Sequence, residues 1–178
     1  MEGRMSMIII RDAKKEDLLN VAKVKIDTWR TAYGRIVSDE ILNNFDLDEQ
    51  AKKLGELIEQ CDGKKFLAVA EASGEVVGFA AGGSERDGKH GIDGEVYAIY
   101  VFKEHQNQGI GKKLMEYSAK KLEGMGFNSM LVWVLEENRY KRFYEKHGGI
   151  QIDKKSLEIG GEDHFIVAYA WREMRDFQ

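Results

Sequence analysis

The residues with the most chemical content lie between Glu95 and Leu114. Glu95 to Phe102 is rich in β-branched and aromatic residues and reads as a buried strand. A polar loop, Lys103 to Gln108, follows, and Gly109 and Gly111 open a helix that runs to Met125. Glycines at such a start let an anion approach the backbone closely. The first N–H groups of the helix are unbonded and its dipole favours negative charge, so a pyrophosphate suits this end. Lys112 and Lys113 add positive charge there.

Three phosphate-binding patterns compete for this stretch. A Walker loop requires G-x-x-x-x-G-K-[ST], a spacing absent from the chain. A dinucleotide fingerprint places G-x-G-x-x-G directly after the strand. Here Lys103 to Gln108 intervene, and Leu114 stands at the third glycine position. The third pattern, Q-x-x-G-x-G, is met by Gln106, Gly109 and Gly111. A helix that merely begins with two glycines is the plain alternative. It is disfavoured, because caps prefer Ser, Asp or Thr and each glycine inside a helix costs about 1 kcal/mol.

The remaining elements must position this stretch. Met7 to Arg11 reads as a first strand, and Asp12 or Lys14 opens a helix ending at Gly34 with Leu18, Ala22, Ile26, Trp29 and Tyr33 on one face. Ser38 is a candidate N-cap, and helix resumes from about Asp48 to Gln60 after an interruption near Asn43 to Asp46. Phe66 to Glu71 and Val76 to Ala81 form a hairpin across Ser73-Gly74-Glu75, and Gly82 to Gly94 reads as a glycine-rich loop. After the Gly109 helix come a strand Ser129 to Leu135, a helix Arg139 to Lys146, and strands Gln151 to Leu157 and His164 to Trp171. This order predicts one mixed α/β (α+β) domain over residues 1–178. Its largely antiparallel sheet has about seven strands, flanked by about four helices, with one βαβ unit in the second half. Residues 1–6 read as a flexible start or a cloning remnant.

Composition narrows the function classes. With 178 residues, 43% hydrophobic and 33% charged, the chain can bury a single core. A net charge of −4 argues against nucleic-acid binding, which needs a basic face. No apolar run approaches the roughly 18 residues of a membrane span. The single cysteine, Cys61, permits no internal disulfide and fits a reducing, cytoplasmic setting; it reads as an inert thiol. His90, His105, His147 and His164 lack metal-ligand spacing, so no metal is expected. The chain has no proline.

On these residues the sequence resembles the GCN5-related N-acetyltransferase (GNAT) superfamily. The strand, loop and helix around Gln106–Gly111 are similar to that family's acetyl-CoA signature. Glu137-Asn138-Arg139 through Phe143-Tyr144 to Gly148 resembles its E-N-x-x-A-x-x-F-Y-x-K-x-G segment. Trp29 to Tyr33, followed by Ser38-Asp39-Glu40, resembles the front end of bacterial members, polyamine acetyltransferases included. Lys103-Glu104 replaces a proline common in the loop, and Gly148-Gly149 replaces a Gly-aromatic turn.

The resemblance implies acetyl-CoA (or CoA) as co-substrate and direct attack of an amine on the thioester. Cofactor contacts are expected from Ile99, Tyr100, Val101, Gln106, Asn107, Gln108, Gly109, Ile110, Gly111, Lys112, Asn138 and Tyr144. Ile99 and Val101 would offer peptide groups to pantetheine. Asn138 would cap the last helix and bond the cofactor, although capping alone explains it. Tyr144 is the expected general acid toward the leaving thiolate; the alternative is a core aromatic. Glu95 is the candidate base, acting through water, against the alternative of a solvated glutamate. Trp29 and Tyr33 would line the acceptor pocket, or simply be core. The acceptor implied is a small primary amine such as a polyamine, attracted by the acidic balance, and a homodimer is admitted. A peptide N-acetyltransferase and a non-catalytic acyl-CoA sensor are the competing functions.

Overall fold

The computed structural model describes residues 7–59 and 63–178. The start of the chain before Met7, the expected helix end at Gln60 and the Cys61 thiol lie outside the described residues. Within them the elements run β1 (Ile8–Asp12), α1 (Leu18–Tyr33), α2 (Asp39–Asn43), α3 (Leu47–Glu59), β2 (Lys65–Ala72), β3 (Glu75–Ser84) and β4 (Gly94–Val101). They continue with α4 (Ile110–Gly124), β5 (Met130–Leu135), α5 (Lys141–Lys146), β6 (Ile150–Ile159) and β7 (Glu162–Trp171).

The strands form one sheet in the order β1-β2-β3-β4-β5-β7-β6. Every neighbouring pair is antiparallel except β4–β5. Parallel neighbours need a crossover, and α4 supplies it. The sheet is covered on both faces, so central strands read as continuous apolar runs instead of alternating ones. In β2, Phe66, Ala68 and Ala70 pack toward α4 with Ile110, Leu114 and Leu122. The intervening Leu67 and Val69 pack toward α1 and α3 with Val21, Val24 and Leu54.

Two departures from regularity open the sheet where it matters. The β3–β4 register slips between Ala81 and Gly82, which face Ala98 and Val96, so Tyr97 is the extra residue of a bulge. Gly82 permits the close approach there: a Cβ would lie 2.6 Å from the Glu95 carbonyl oxygen and from the Phe66 ring. Beyond the bulge β4 leaves β5. Their pairing covers only Gly94–Val96 against Met130–Val132, while β5 goes on pairing with β7 as far as Leu135 opposite Ile166.

The observed fold agrees with the predicted class and differs in detail. There are five α-helices among the described residues instead of about four, because the segment from Ser38 divides at Asn44–Asp46 into α2 and α3. β3 extends to Ser84, into the expected loop. β6 and β7 are longer than their apolar residues suggest. β6 is an outer strand, mostly exposed, so its polar ends carry no hydrophobic pattern.

Candidate active site

Where β4 and β5 separate, a cleft of about 500 Å³ opens. Its walls are β4 from Tyr97 to Val101, β5 from Val132 to Val134, the start of α4, and α5 through Phe143 and Tyr144. Thr28, Ala32 and Tyr33 of α1 close one side.

The peptide edge of β4 faces this cleft. Phe102 N–H bonds Val77 O on β3 at 2.9 Å, so by alternation the peptide groups of Ile99 and Val101 point away from β3, toward the vacated β5 edge. The Val101 carbonyl accepts a bond from Gln106 Nε2 at 3.1 Å. Val101 N–H and both peptide groups of Ile99 are left for a ligand. Gln106 thus fixes the loop through its side-chain amide while itself lining the cleft.

The loop then winds through two left-handed residues, Asn107 (φ 60) and Gly109 (φ 80). A non-glycine residue at the second would be strained. The first bond inside α4 runs from Lys113 N–H to Gly109 O at 3.1 Å, so the N–H groups of Ile110, Gly111 and Lys112 point out of the helix end. No acidic residue lies in that first turn. Asn107, Gly109, Gly111 and Lys112 line the cleft. Gln108 and Ile110 do not contribute side chains: Gln108 Nε2 bonds Glu104 O at 3.2 Å, and Ile110 is buried in the core. The anion-binding end read from the sequence is therefore built mainly of backbone, at the mouth of the cleft.

The opposite end is phenolic. Tyr144, 8% exposed, stacks on Tyr169 at 5.9 Å and lines the cleft. No hydrogen bond engages its hydroxyl among the described residues. Burial, with Tyr100 nearby, pushes the phenol above its ordinary value, so it stays protonated at neutral pH. Trp29 Nε1 donates to Tyr100 Oη at 3.2 Å, and Asn138 Nδ2 donates to Tyr33 Oη at 3.4 Å. Burial raises Tyr33 and Tyr100 as well. Tyr33, Tyr100 and Asn138 stand on the cleft wall, whereas Trp29 backs it, edge-on to Tyr33 at 4.7 Å. Asn138 does not cap α5 directly. Its Oδ1 accepts the Tyr140 N–H at 2.9 Å in an Asx turn, and the helix starts at Lys141.

Glu95 departs from both sequence readings. It is 1% exposed, so it is no solvated glutamate. Arg86 Nη2 donates to its Oε1 at 2.6 Å, while Arg86 Nε and the Arg86 backbone N–H donate to Oε2 at 3.2 and 3.1 Å. Glu95 is absent from the cleft wall. The carboxylate is thus tied to Arg86, and neither of its oxygens stands on the cleft wall where the sequence reading expected a base. Sequence reasoning missed Arg86 because it lies in a polar loop with no periodic signal. Arg86 also covers the ring of Tyr97 at 4.3 Å.

The same loop gathers Glu85, Asp87 and His90, whose ligand atoms lie within 4.8 Å of one another, a grouping no spacing announced. Each already has partners. Glu85 accepts the N–H groups of Asp87 and Gly88 at 2.8 and 2.6 Å. Asp87 pairs with Lys155 at 2.6 Å and His90 Nε2 with Asp153 at 2.7 Å, while the buried His90 Nδ1 has no hydrogen-bond partner among the described residues. They fix the β3–β4 loop.

An opened parallel pair, a helix N-terminus at one end and a buried phenol at the other define a site for a long, anionic, amide-bearing ligand. The acetyltransferase (GNAT) family model matches residues 29–149. The Bacillus subtilis protein described as uncharacterized N-acetyltransferase YuaI is 35% identical over 168 residues, 94% of this chain and 95% of the relative. The chain belongs to the acetyltransferase (GNAT) family, whose co-substrate is acetyl-CoA. The fold agrees with solved structures. The PaiA N-acetyltransferase of Thermoplasma acidophilum, in complex with coenzyme A, aligns with a TM-score of 0.75 at 23% identity, over 93% of this chain and 99% of that one. YncA of Salmonella typhimurium, with acetyl-CoA, aligns with a TM-score of 0.70 at 18% identity, over 95% of each chain.

Proposed function

We propose that this protein moves the acetyl group of acetyl-CoA directly to the primary amine of a small molecule. The observation that carries this reading is the hydroxyl of the buried Tyr144 side chain, which has no hydrogen bond among the described residues, in the cleft where β4 and β5 part. In this reading the CoA phosphates meet the N–H groups of residues 110–112, with Lys112 beside them. Pantetheine amides bond Ile99 and the Val101 N–H, and the thioester lies between the strands. The amine nitrogen attacks the thioester carbonyl carbon, the C–S bond breaks, and Tyr144 gives its proton to the departing sulfur. The ammonium sheds one proton to water in the cleft before attack, because Glu95 is held by Arg86, and the second proton that nitrogen loses as the amide forms returns through water to the Tyr144 phenolate.

An acceptor enters from the α1 side, past Tyr33, Ala32 and Thr28. Among the described residues no helix is long and apolar enough to cross a membrane, and the reading places the protein in the cytoplasm with its co-substrate. The test is thiol release from acetyl-CoA across a panel of amines. A protein that binds acetyl-CoA yet releases thiol with no amine or peptide would be a sensor, and one that acts on peptides alone would have a different acceptor.

Glu95→Gln separates the structural role from the basic one. The amide keeps the shape but turns a donor toward Arg86, so about 1–3 kcal/mol of stability should be lost. The melting temperature should fall, while the rising limb of the pH–rate profile should keep its position. A shifted limb would restore Glu95 as the base.

A further inference from the structure

Thr28 is 5% exposed, and its Oγ1 is buried with no hydrogen-bond partner among the described residues. A helical threonine ordinarily satisfies its hydroxyl on the carbonyl of the preceding turn, and a buried hydroxyl left unpaired is costly. Thr28 lines the cleft one turn before Ala32 and Tyr33, on the side where α1 closes it. Its aromatic neighbours on the wall are already engaged: Tyr97 Oη donates to Ser84 O at 2.6 Å, and Tyr100 and Tyr33 accept from Trp29 and Asn138. No aspartate or glutamate stands among the described residues that line the cleft. A second ammonium on the acceptor would find aromatic faces on this wall but no carboxylate to pair with.

We propose that the α1 side of the cleft is an acceptor subsite for a monoamine with an uncharged body carrying a hydroxyl or carbonyl group, and that Thr28 recognises that group. This rests on the reading of the cleft as an acetyl-transfer site. It narrows the acceptor away from polyamines, which the resemblance had suggested. Thr28 is a specificity residue here and takes no part in bond making or breaking.

The experiment uses the whole protein with acetyl-CoA and three amines of matched length: one ending in a hydroxyl, one in a methyl, one in a second ammonium. The hydroxylated monoamine should have a kcat/KM at least about tenfold above the other two, the discrimination that a site with an otherwise unpaired polar group provides. Thr28→Val keeps the side-chain shape, and removing an unpaired hydroxyl should not lower the melting temperature. In that variant the preference ratio should fall toward one, through KM more than kcat, with acetyl-CoA affinity unmoved. A preference that survives Thr28→Val, or a diamine that outperforms the monoamines, would overturn the proposal; survival would assign the hydroxyl's partner to a water. Calorimetry of the hydroxylated amine with the CoA-bound protein distinguishes the two levels. Thr28-dependent binding without any turnover would refute transfer and keep the subsite. Binding indifferent to Thr28 would refute the subsite, whatever the turnover.

Discussion

Replacing Tyr144 by Phe should lower kcat by about 10- to 10⁴-fold, the range for a positioned general acid. The ring stacks on Tyr169 and meets Trp171 edge-on at 6.3 Å, contacts a phenylalanine reproduces. The hydroxyl makes no hydrogen bond among the described residues, so its loss leaves no partner stranded and the melting temperature should hold. Acetyl-CoA affinity should barely change, because the hydroxyl matters as charge develops on sulfur. The pH profile gives a second readout. Burial raises the phenol, so the protonated, donating form persists below a pKa lying above the ordinary value of about 10. Activity should not fall through loss of this proton until the pH exceeds that ordinary range. An enzyme with unchanged turnover after Tyr144→Phe would make Tyr144 a packing residue and leave the thiolate to depart without its help.

Gly109→Val should abolish acetyl-CoA binding. In the wild-type protein, acetyl-CoA at a hundredfold excess over its dissociation constant should add about 2.7 kcal/mol of stability, by mass action on the native state. Gly109 has φ +80, which a β-branched residue adopts only under strain. Apart from its chain neighbours, none of the described residues comes within 4 Å of a Cβ built there, so the added side chain projects into the open space over the α4 N-terminus, where the phosphates must come. Strain alone would lower the melting temperature without acetyl-CoA, and a companion variant removes that ambiguity. Gly111 has ordinary helical backbone, and its Cβ would make normal contact with Phe143 at 3.6 Å. Gly111→Ala should thus raise the ligand-free melting temperature, since alanine is about 1 kcal/mol better than glycine in a helix. It should also shrink the acetyl-CoA-dependent rise. Melting curves of the three proteins with and without acetyl-CoA check both signs. A full ligand-dependent rise in both variants would remove the α4 end from the binding site.

The parts of this site legible in the sequence are those where one residue type is required locally. Gly109 is needed by a left-handed backbone, Asn138 by a turn, and Tyr144 by its place in the Asn-to-Tyr segment. The covered sheet was legible through apolar runs such as Phe66 to Ala70, flanked by helical periods. What the sequence concealed depends on partners distant in the chain. Gln106 lines the cleft, but the clasp of its amide on Val101 shows only in the fold. The pairing of Glu95 with Arg86 is hidden because Arg86 comes from a loop without pattern. Trp29 recurs at helical spacing with Tyr33, yet only the fold places it behind the wall and Thr28 on it. β6 was underestimated because an outer strand has little need of apolar residues, Ile150 and Leu157 being themselves exposed.

The most direct test of acetyl transfer follows the acetyl group itself. The protein is mixed with acetyl-CoA and an amine panel led by hydroxylated monoamines, and thiol release and acetylated amine are measured together, the latter by mass spectrometry. One acetylated amine should appear for each thiol released, with both rates falling together in Tyr144→Phe. Thiol release without an acetylated amine would mean hydrolysis, and neither product from any amine, despite tight acetyl-CoA binding, would contradict an acetyltransferase of small amines.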